Sequence, residues 1–387
     1  MKKKIKVLQV IPRLGYGGAE TGCYDLAHFL PERGIKSFLV TSGGELLKFV
    51  DKKKVKIFKL PVQSKNPALI LFNTIVIFFI ILIYNINIVH ARSRAPAWSC
   101  FLATKFSFRK FVTTFHGTYN FSNRIKKFYN SIMVRSDLVI AGSNFIFSHI
   151  NENYGNFFKN NKRKFLVIFR GINTNYFNPK KILPIKLDKF SKKNNIDRNK
   201  FIILLPGRLT YWKGQKIFIE AIKLLYEKSD IPPFEAIILG SDQGRSVYKK
   251  KLIDLVQQHR LSKVIKFIDH CEEMPIAYGI TNLVCSCSYE PEAFGRVSVE
   301  AQSMQIPIIA SNIGGSKETI IKDKTGYLYK NKDPVDLANS IAVLMQKNYN
   351  LLKSIGIEGR KNVLKKFDVD KMCQTTFTEY KKLIKLS

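Results

Sequence analysis

The chain has 387 residues, 45% hydrophobic and 24% charged, a globular composition with room for two domains of about 190 residues. Lys and Arg number 64 against 29 Asp and Glu, a net charge of +35, yet 29 Phe and 16 Tyr exclude the disordered polyelectrolyte that such an imbalance would otherwise imply. Cys23, Cys100, Cys271, Cys285, Cys287 and Cys373 lack CxxC or zinc-like spacing, so neither a disulfide framework nor a metal site is indicated and a reducing cytosol fits.

In chain order, MKKKIKVLQVIP reads as a first strand rather than a signal peptide, because its apolar run is short, alternating and followed by a Gly-rich turn. SFLVT, KIFKL, NIVHA, KFVTTF and DLVIAGS follow as strands with helical stretches between them, the pattern of a parallel, doubly wound sheet. One helical stretch, Ala68 to Tyr84, is apolar except for Asn73 and Thr74; its 17 residues fall short of the ~20 of a spanning helix, so a buried core helix between two strands is expected, with a helix laying one face at the membrane as the first alternative and a true span as the second. The pattern lapses over residues 171–200, read as a linker, and restarts at FIILLPGR for a second Rossmann-like domain over 201–368. Residues 1–170 form the first domain, and residues 369–387 a closing helix that crosses back to it. Two such domains would face each other across a cleft with the carboxyl ends of both sheets turned towards it, where ligands of open α/β sheets bind.

Three segments carry chemistry. After the first strand, Arg13 to Glu20 includes Gly15, Gly17 and Gly18 and runs straight into a helix, a place where backbone N–H groups approach an anion or where the chain simply turns tightly. It has no GxGxxG, which weighs against a dinucleotide dehydrogenase. The second domain opens with LPGRLTYWKGQ, where Arg208 and Lys213 just past a strand end suit either a leaving diphosphate or a very basic surface. In YEPEAFGRVSVEA, Glu292 lies in a loop at a strand's carboxyl end, Glu300 projects from the second turn of the following helix, and the N–H groups from Gly295 to Val297 form a second anion site.

With its Glu, seven intervening residues and second Glu in an E-x-F-G-x-x-x-x-E segment, Glu292 to Glu300, the chain resembles the family-4 retaining glycosyltransferases of the GT-B fold. The GGAE loop, His116-Gly117 after a strand, the GRL-x-x-x-KG run and the Gly314-Gly315 pair after IPIIAS fall in the family's order, so the resemblance covers essentially the whole chain. It implies that Gly17 and Gly18 bring backbone near the donor diphosphate, and that Arg208 and Lys213 hold its charge. Glu292 would contact the transferred sugar, with the backbone of Phe294, Gly295, Arg296 and Val297 around sugar and phosphate. Glu300 would accept from the ribose hydroxyls, and His116 would reach the donor sugar from the first domain.

The chain departs from the pattern at Ile172-Asn173, where the family's linker usually has Gly-Val-Asp. Asp368-Val369-Asp370 matches DxD by string, but it opens a C-terminal helix where Asp is a common cap, and it is rejected as a metal site.

The resemblance thus implies a retaining transfer from a nucleotide-diphosphate sugar, which is a co-substrate, with no cofactor and no metal. Its wording is that of the bacterial branch working on cell-surface glycans, lipopolysaccharide above all. Charge is uneven along the chain: residues 1–190 hold 32 basic and 8 acidic side chains, residues 191–387 hold 32 and 21. The first half, which receives the acceptor in this family, could then lie against anionic lipid through Lys52–Lys54, Arg92 to Arg94, Arg109-Lys110 and Arg124 to Lys127, placing the protein at the cytoplasmic face of the inner membrane with a lipid-linked acceptor. A sugar-nucleotide epimerase is the alternative, and a nucleic-acid-binding protein, for which the chain has no recognisable module, is the third reading.

Overall fold

The computed structural model describes residues 5–119, 123–159, 164–347 and 349–385, which divide by contact into one unit of Met1–Gly171 with Val369–Ser387 and another of Ile172–Asp368. In chain order the first unit carries β1 (Lys6–Val10), α1 (Gly18–Glu32), β2 (Lys36–Thr41), β3 (Val55–Lys59), α2 (Pro67–Tyr84), β4 (Ile88–Ala91), α3 (Arg94–Phe106), β5 (Lys110–Phe115), α4 (Arg124–Asn130), β6 (Leu138–Ala141), α5 (Asn144–Tyr154), α6 (Asn156–Lys159) and β7 (Lys164–Val167). The second carries α7 (Pro184–Lys193), β8 (Phe201–Pro206), α8 (Gln215–Tyr226), β9 (Phe234–Leu239), α9 (Ser246–Gln258), β10 (Ile265–Ile268), α10 (Met274–Gly279), β11 (Leu283–Ser286), α11 (Arg296–Ser303), β12 (Ile308–Ser311), α12 (Ser316–Thr319), β13 (Tyr327–Tyr329), α13 (Pro334–Met345) and α14 (Tyr349–Lys366); α15 (Val369–Lys385) returns to the first.

Both sheets are parallel. Their strand orders are β3-β2-β1-β4-β5-β6-β7 and β10-β9-β8-β11-β12-β13. Helices cover such sheets on both faces, so the strands read as unbroken apolar runs: β4, β6, β11 and β12 are buried at every position. In each unit the chain winds outward from a central strand, β1 or β8, and then resumes on that strand's other side with β4 or β11. These two reversal points are where open α/β sheets part their loops and admit ligands.

α15 is amphipathic and packs on α1, with Cys373 and Tyr380 joining the core formed by Val7, Leu26 and Leu30. Its Tyr380 hydroxyl meets His90 Nδ1 at 2.5 Å, and His90 Nε2 meets Thr114 Oγ1 at 2.7 Å. His90 is therefore a core histidine with both nitrogens occupied, and it staples the closing helix to β4 and β5.

Two segments take a definite form. The stretch 171–200, read as a linker, is folded onto the second unit and carries α7. Arg360 donates to the carbonyls of Phe177, Ser303 and Thr174, and Ile182 and Leu187 approach α10 so closely that a Cβ on Gly279 would lie 2.9 Å from each. Proline at the first turn and the Leu183–Leu187 apolar face suffice to start α7 inside a polar sequence. Secondly, α2 is not a buried core helix. Asn73, Thr74, Ile77, Ile80 and Ile81 are buried, but Leu71, Phe72, Ile75, Phe79, Leu82 and Ile83 are exposed.

Candidate active site

In the second unit, the loops after β8 and β11, neighbours in the sheet, bring Arg208, Lys213 and Glu292 together. Lys213 Nζ donates to Glu292 Oε1 at 2.7 Å and Ser288 Oγ donates to the same oxygen at 2.5 Å, with the lysine and glutamate side chains only 15% and 11% exposed. Lys213 also lies 4.5 Å from the centre of the Trp212 ring. Burial by itself would raise the Glu292 pKa, but the Lys213 ammonium, its hydrogen bond, the Ser288 hydrogen bond and the Arg208 charge outweigh it and hold the carboxyl below its usual range. Arg208 is exposed, at the rim of this cluster.

A folded-state pKa below the unfolded one stabilises the protein above the unfolded pKa, and that contribution is lost as pH falls through the folded value. Glu292→Gln is thus expected to melt lower than the native protein at pH 7, by about 1.5–3 kcal/mol of stability. The gap should close as pH drops below the ordinary carboxylate range. Thermal melts of both proteins across the acid range check this, and a gap independent of pH refutes it.

Gly295 is the N-cap of α11 with φ of 82°, and a Cβ there would lie 2.6 Å from the Ser316 Cα, so both the left-handed backbone and the close approach require glycine. The Gly314-Gly315 pair fits the same loop from the other side: Gly315 N donates to the Glu292 carbonyl at 2.7 Å, and a Cβ on Gly315 would sit 2.5 Å from the Ala293 carbonyl oxygen. The pair therefore clamps the backbone that carries Glu292. Phe294 is buried edge-to-face against Phe367, 5.7 Å between ring centres, so its side chain anchors the loop and only its backbone is placed to meet a ligand.

Glu300 is buried on α11 and already engaged. Arg296 Nε donates to Oε1 at 2.6 Å and the Tyr278 hydroxyl to Oε2 at 2.9 Å. Burial, then the Glu300 charge, pushes the Tyr278 hydroxyl well above its usual pKa, so it stays a donor. Each carboxylate oxygen retains a second acceptor site for an incoming hydroxyl. Val297 follows Arg296 in the first turn, half-buried, at the positive end of the helix.

The first unit brings together Gly18 and His116, lining a pocket with Gly22, Arg92, Thr114 and Arg170. Among the described residues neither ring nitrogen of His116 has a hydrogen-bond partner, although both are buried. Burial, helped by the charges of Arg92 and Arg170 and by His90, pushes its pKa well below the imidazole range, so the ring is neutral near pH 7. The Gly17-Gly18 turn lies against two charged side-chain ends: a Cβ on Gly18 would lie 2.1 Å from Arg170 Nη2, and one on Gly17 2.2 Å from Glu20 Oε2.

Arg92 is corrected here. Expected on a lipid-facing surface patch, it is buried at the carboxyl end of β4 and faces the His116 pocket. Arg170, beyond β7, was not singled out at all. Arg92 directly follows β4 and Arg170 lies three residues beyond β7, both at the ligand end of a parallel sheet, and that placement was the signal available. Asp368 accepts from the Thr174 hydroxyl just before α15 begins.

Two parallel-sheet Rossmann-like units of this kind make up the GT-B fold. The profile of glycosyl transferases group 1 matches residues 187–362 and that of glycosyltransferase family 4 matches residues 16–176. A crystal structure of a glycosyltransferase from Rickettsia africae ESF-5 is 38% identical and superposes over 100% of both chains with a TM-score of 0.91. The chain belongs to this group 1 and family 4 glycosyltransferase family. It is also 27% identical over 192 residues to the capsular polysaccharide biosynthesis glycosyltransferase CapM of Staphylococcus aureus, covering 47% of this chain and 48% of that one. Anabaena Alr3699/HepE, solved in complex with UDP and glucose, shares the fold at 21% identity, with a TM-score of 0.81 over 98% of this chain and 100% of that one. The matches span about a third to a half of the length of the first curated relatives.

Proposed function

We propose that this glycosyltransferase moves a sugar from a nucleotide-diphosphate donor to a lipid-linked acceptor with retention of configuration, in the synthesis of a cell-surface polysaccharide or lipopolysaccharide. The observation that carries the reading is the Arg208–Lys213–Glu292 cluster beside the N-terminus of α11: two cations for a diphosphate and a carboxylate for sugar hydroxyls, all at the reversal point of one sheet. The bond from the sugar's anomeric carbon to the diphosphate oxygen breaks as the acceptor oxygen bonds that carbon from the same face, and the acceptor's proton passes to the departing phosphate. Charge grows on that phosphate in the transition state, where Lys213, Arg208 and the first-turn N–H groups of α11 stabilise it. These groups supply positive charge without a metal or other cofactor. Glu300 holds the ribose hydroxyls, and the Gly17-Gly18 turn meets the diphosphate.

Similar proteins support the donor and the pathway: HepE was solved with UDP and glucose, and CapM is a glycosyltransferase of capsular polysaccharide biosynthesis. The excess of cations in the first unit supports work at the cytoplasmic face of a membrane, as a peripheral protein. The test is a thermal-shift panel of UDP-, GDP-, ADP- and CMP-sugars with and without EDTA, followed by NMR of the product's anomeric centre. Stabilisation by one diphosphate donor, unaffected by EDTA, and a product of the donor's own anomeric configuration are expected. An inverted product would refute retention, and isomerised donor in the absence of any acceptor would make the protein an epimerase.

A further inference from the structure

From the exposed apolar face of α2 and the charge around it, we infer that α2 lies flat in the interface of an anionic bilayer and is the element that docks the first unit there. This rests on the peripheral-membrane reading above and names the element responsible. α2 is apolar at 16 of its 18 positions, and its two polar residues, Asn73 and Thr74, fall on the buried arc with Ile77, Ile80 and Ile81. The opposite arc presents Leu71, Phe72, Ile75, Phe79, Leu82 and Ile83, of which Ile83 is 72%, Leu71 60% and Phe79 54% exposed. A soluble crossover helix keeps polar residues on that side. A contiguous apolar strip along a helix of about 27 Å marks an interaction surface.

The charge around the strip decides the occupant. Residues 52–136 contain fifteen Lys and Arg and not one Asp or Glu across 85 positions. Lys52, Lys53, Lys54, Lys56 and Lys59 are exposed on and before the edge strand β3, Lys54 pairing with Glu32 of α1. At the carboxyl end of α2, Lys56 lies 4.3 Å from the Tyr84 ring centre, Lys6 donates to the Tyr84 carbonyl at 2.7 Å, and Arg109 donates to Asn85 at 3.0 Å. Phe106, the last residue of α3, and Phe108 in the turn beside Arg109 stand exposed. An apolar face rimmed by cations and exposed aromatics matches the acyl and phosphate layers of an anionic interface. A second copy of the chain would set two cationic rims against each other.

The packing also excludes a span. α2 connects β3 to β4 within one sheet; Asn73 Nδ2 donates to the Pro61 carbonyl at 3.2 Å, and Ser99 on α3 donates to the Ile70 carbonyl at 3.0 Å. The buried arc is thus bolted to the unit, and only the other face can enter lipid.

The test uses the full chain and sucrose-loaded vesicles of phosphatidylglycerol and phosphatidylcholine, or of phosphatidylcholine alone. The native protein should co-sediment with the anionic vesicles. The triple variant Leu71→Gln, Phe79→Gln, Ile83→Gln, altered only at exposed positions, should bind at least about tenfold more weakly while keeping its melting temperature. A second variant, Phe79→Trp, should show fluorescence quenching by lipids brominated in their acyl chains beyond that of the native protein. Native protein that ignores anionic vesicles would overturn the peripheral reading itself. Binding by the native protein that the triple variant retains in full, or a Phe79→Trp residue that brominated chains do not quench, would overturn the role of α2 and leave that reading standing. A dimer in vesicle-free solution that the triple variant abolishes, without vesicle binding by the native protein, would assign the face to a second copy instead.

Discussion

Lys213→Ala is expected to lower turnover about 10³-fold in a protein that remains folded, a loss of about 4 kcal/mol of transition-state stabilisation. Lys213 is the least exposed cation of its cluster, held 2.7 Å from Glu292 and over the Trp212 ring, so its ammonium works in a partly desolvated site where a charge is worth more than at the surface. Because the phosphate gains charge only as the sugar leaves, the loss should appear in kcat and in kcat/KM together, with a smaller change in KM. Lys213→Arg keeps the charge but replaces a compact ammonium with a planar fork, and partial rescue is expected. Arg208→Ala, at the exposed rim, should cost less. Steady-state kinetics with the donor found by the thermal-shift panel settles the matter: near-native turnover in a folded Lys213→Ala protein would remove Lys213 from the chemistry.

Much of the architecture was legible because parallel strands announce themselves as short apolar runs, and because the E-x-F-G-x-x-x-x-E segment places a loop, a cap and a helix within nine residues. What was hidden depended on distance or on direction. The Lys213–Glu292 pair spans 79 positions, and no local pattern shows that the cation read for the diphosphate also holds the carboxylate read for the sugar. α2 is apolar on every side, so periodicity could not tell which arc the sheet and α3 would cover; only the two polar residues on the buried arc marked it, and they pointed opposite to the usual rule. In a chain with 64 cations, Arg92 looked like one more surface charge, although its place directly after β4 put it inside a pocket. The internal order of 171–200 was hidden for a different reason. Its order comes from Arg360 and from α10, both far along the chain, rather than from its own polar sequence.

His116→Ala is expected to lower turnover about 10²- to 10³-fold without altering the shape of the pH–rate profile. His90 and His116 show why. Both are buried and both are held neutral, but His90 spends its two nitrogens on Tyr380 and Thr114, whereas both nitrogens of His116 are without a partner among the described residues. A buried imidazole with neither nitrogen bonded costs stability unless a ligand completes it. We take the transferred sugar's hydroxyls to be that ligand. Buried, and with Arg92 and Arg170 beside it, the ring cannot readily take up a proton, so it serves as a neutral hydrogen-bonding group rather than as an acid. His116→Gln, which can still donate and accept, should recover part of the loss. The same depressed pKa has a sign that can be checked in the protein without substrate: stability is full above the unfolded imidazole pKa of about 6.5 and declines as pH falls below it, because the unfolded chain takes up the proton first. His116→Gln should flatten part of that decline, His90 accounting for the rest. A native pH–rate profile with a limb near 6.5 that vanishes in His116→Gln would instead make His116 a titrating acid or base, and the neutral role would fall.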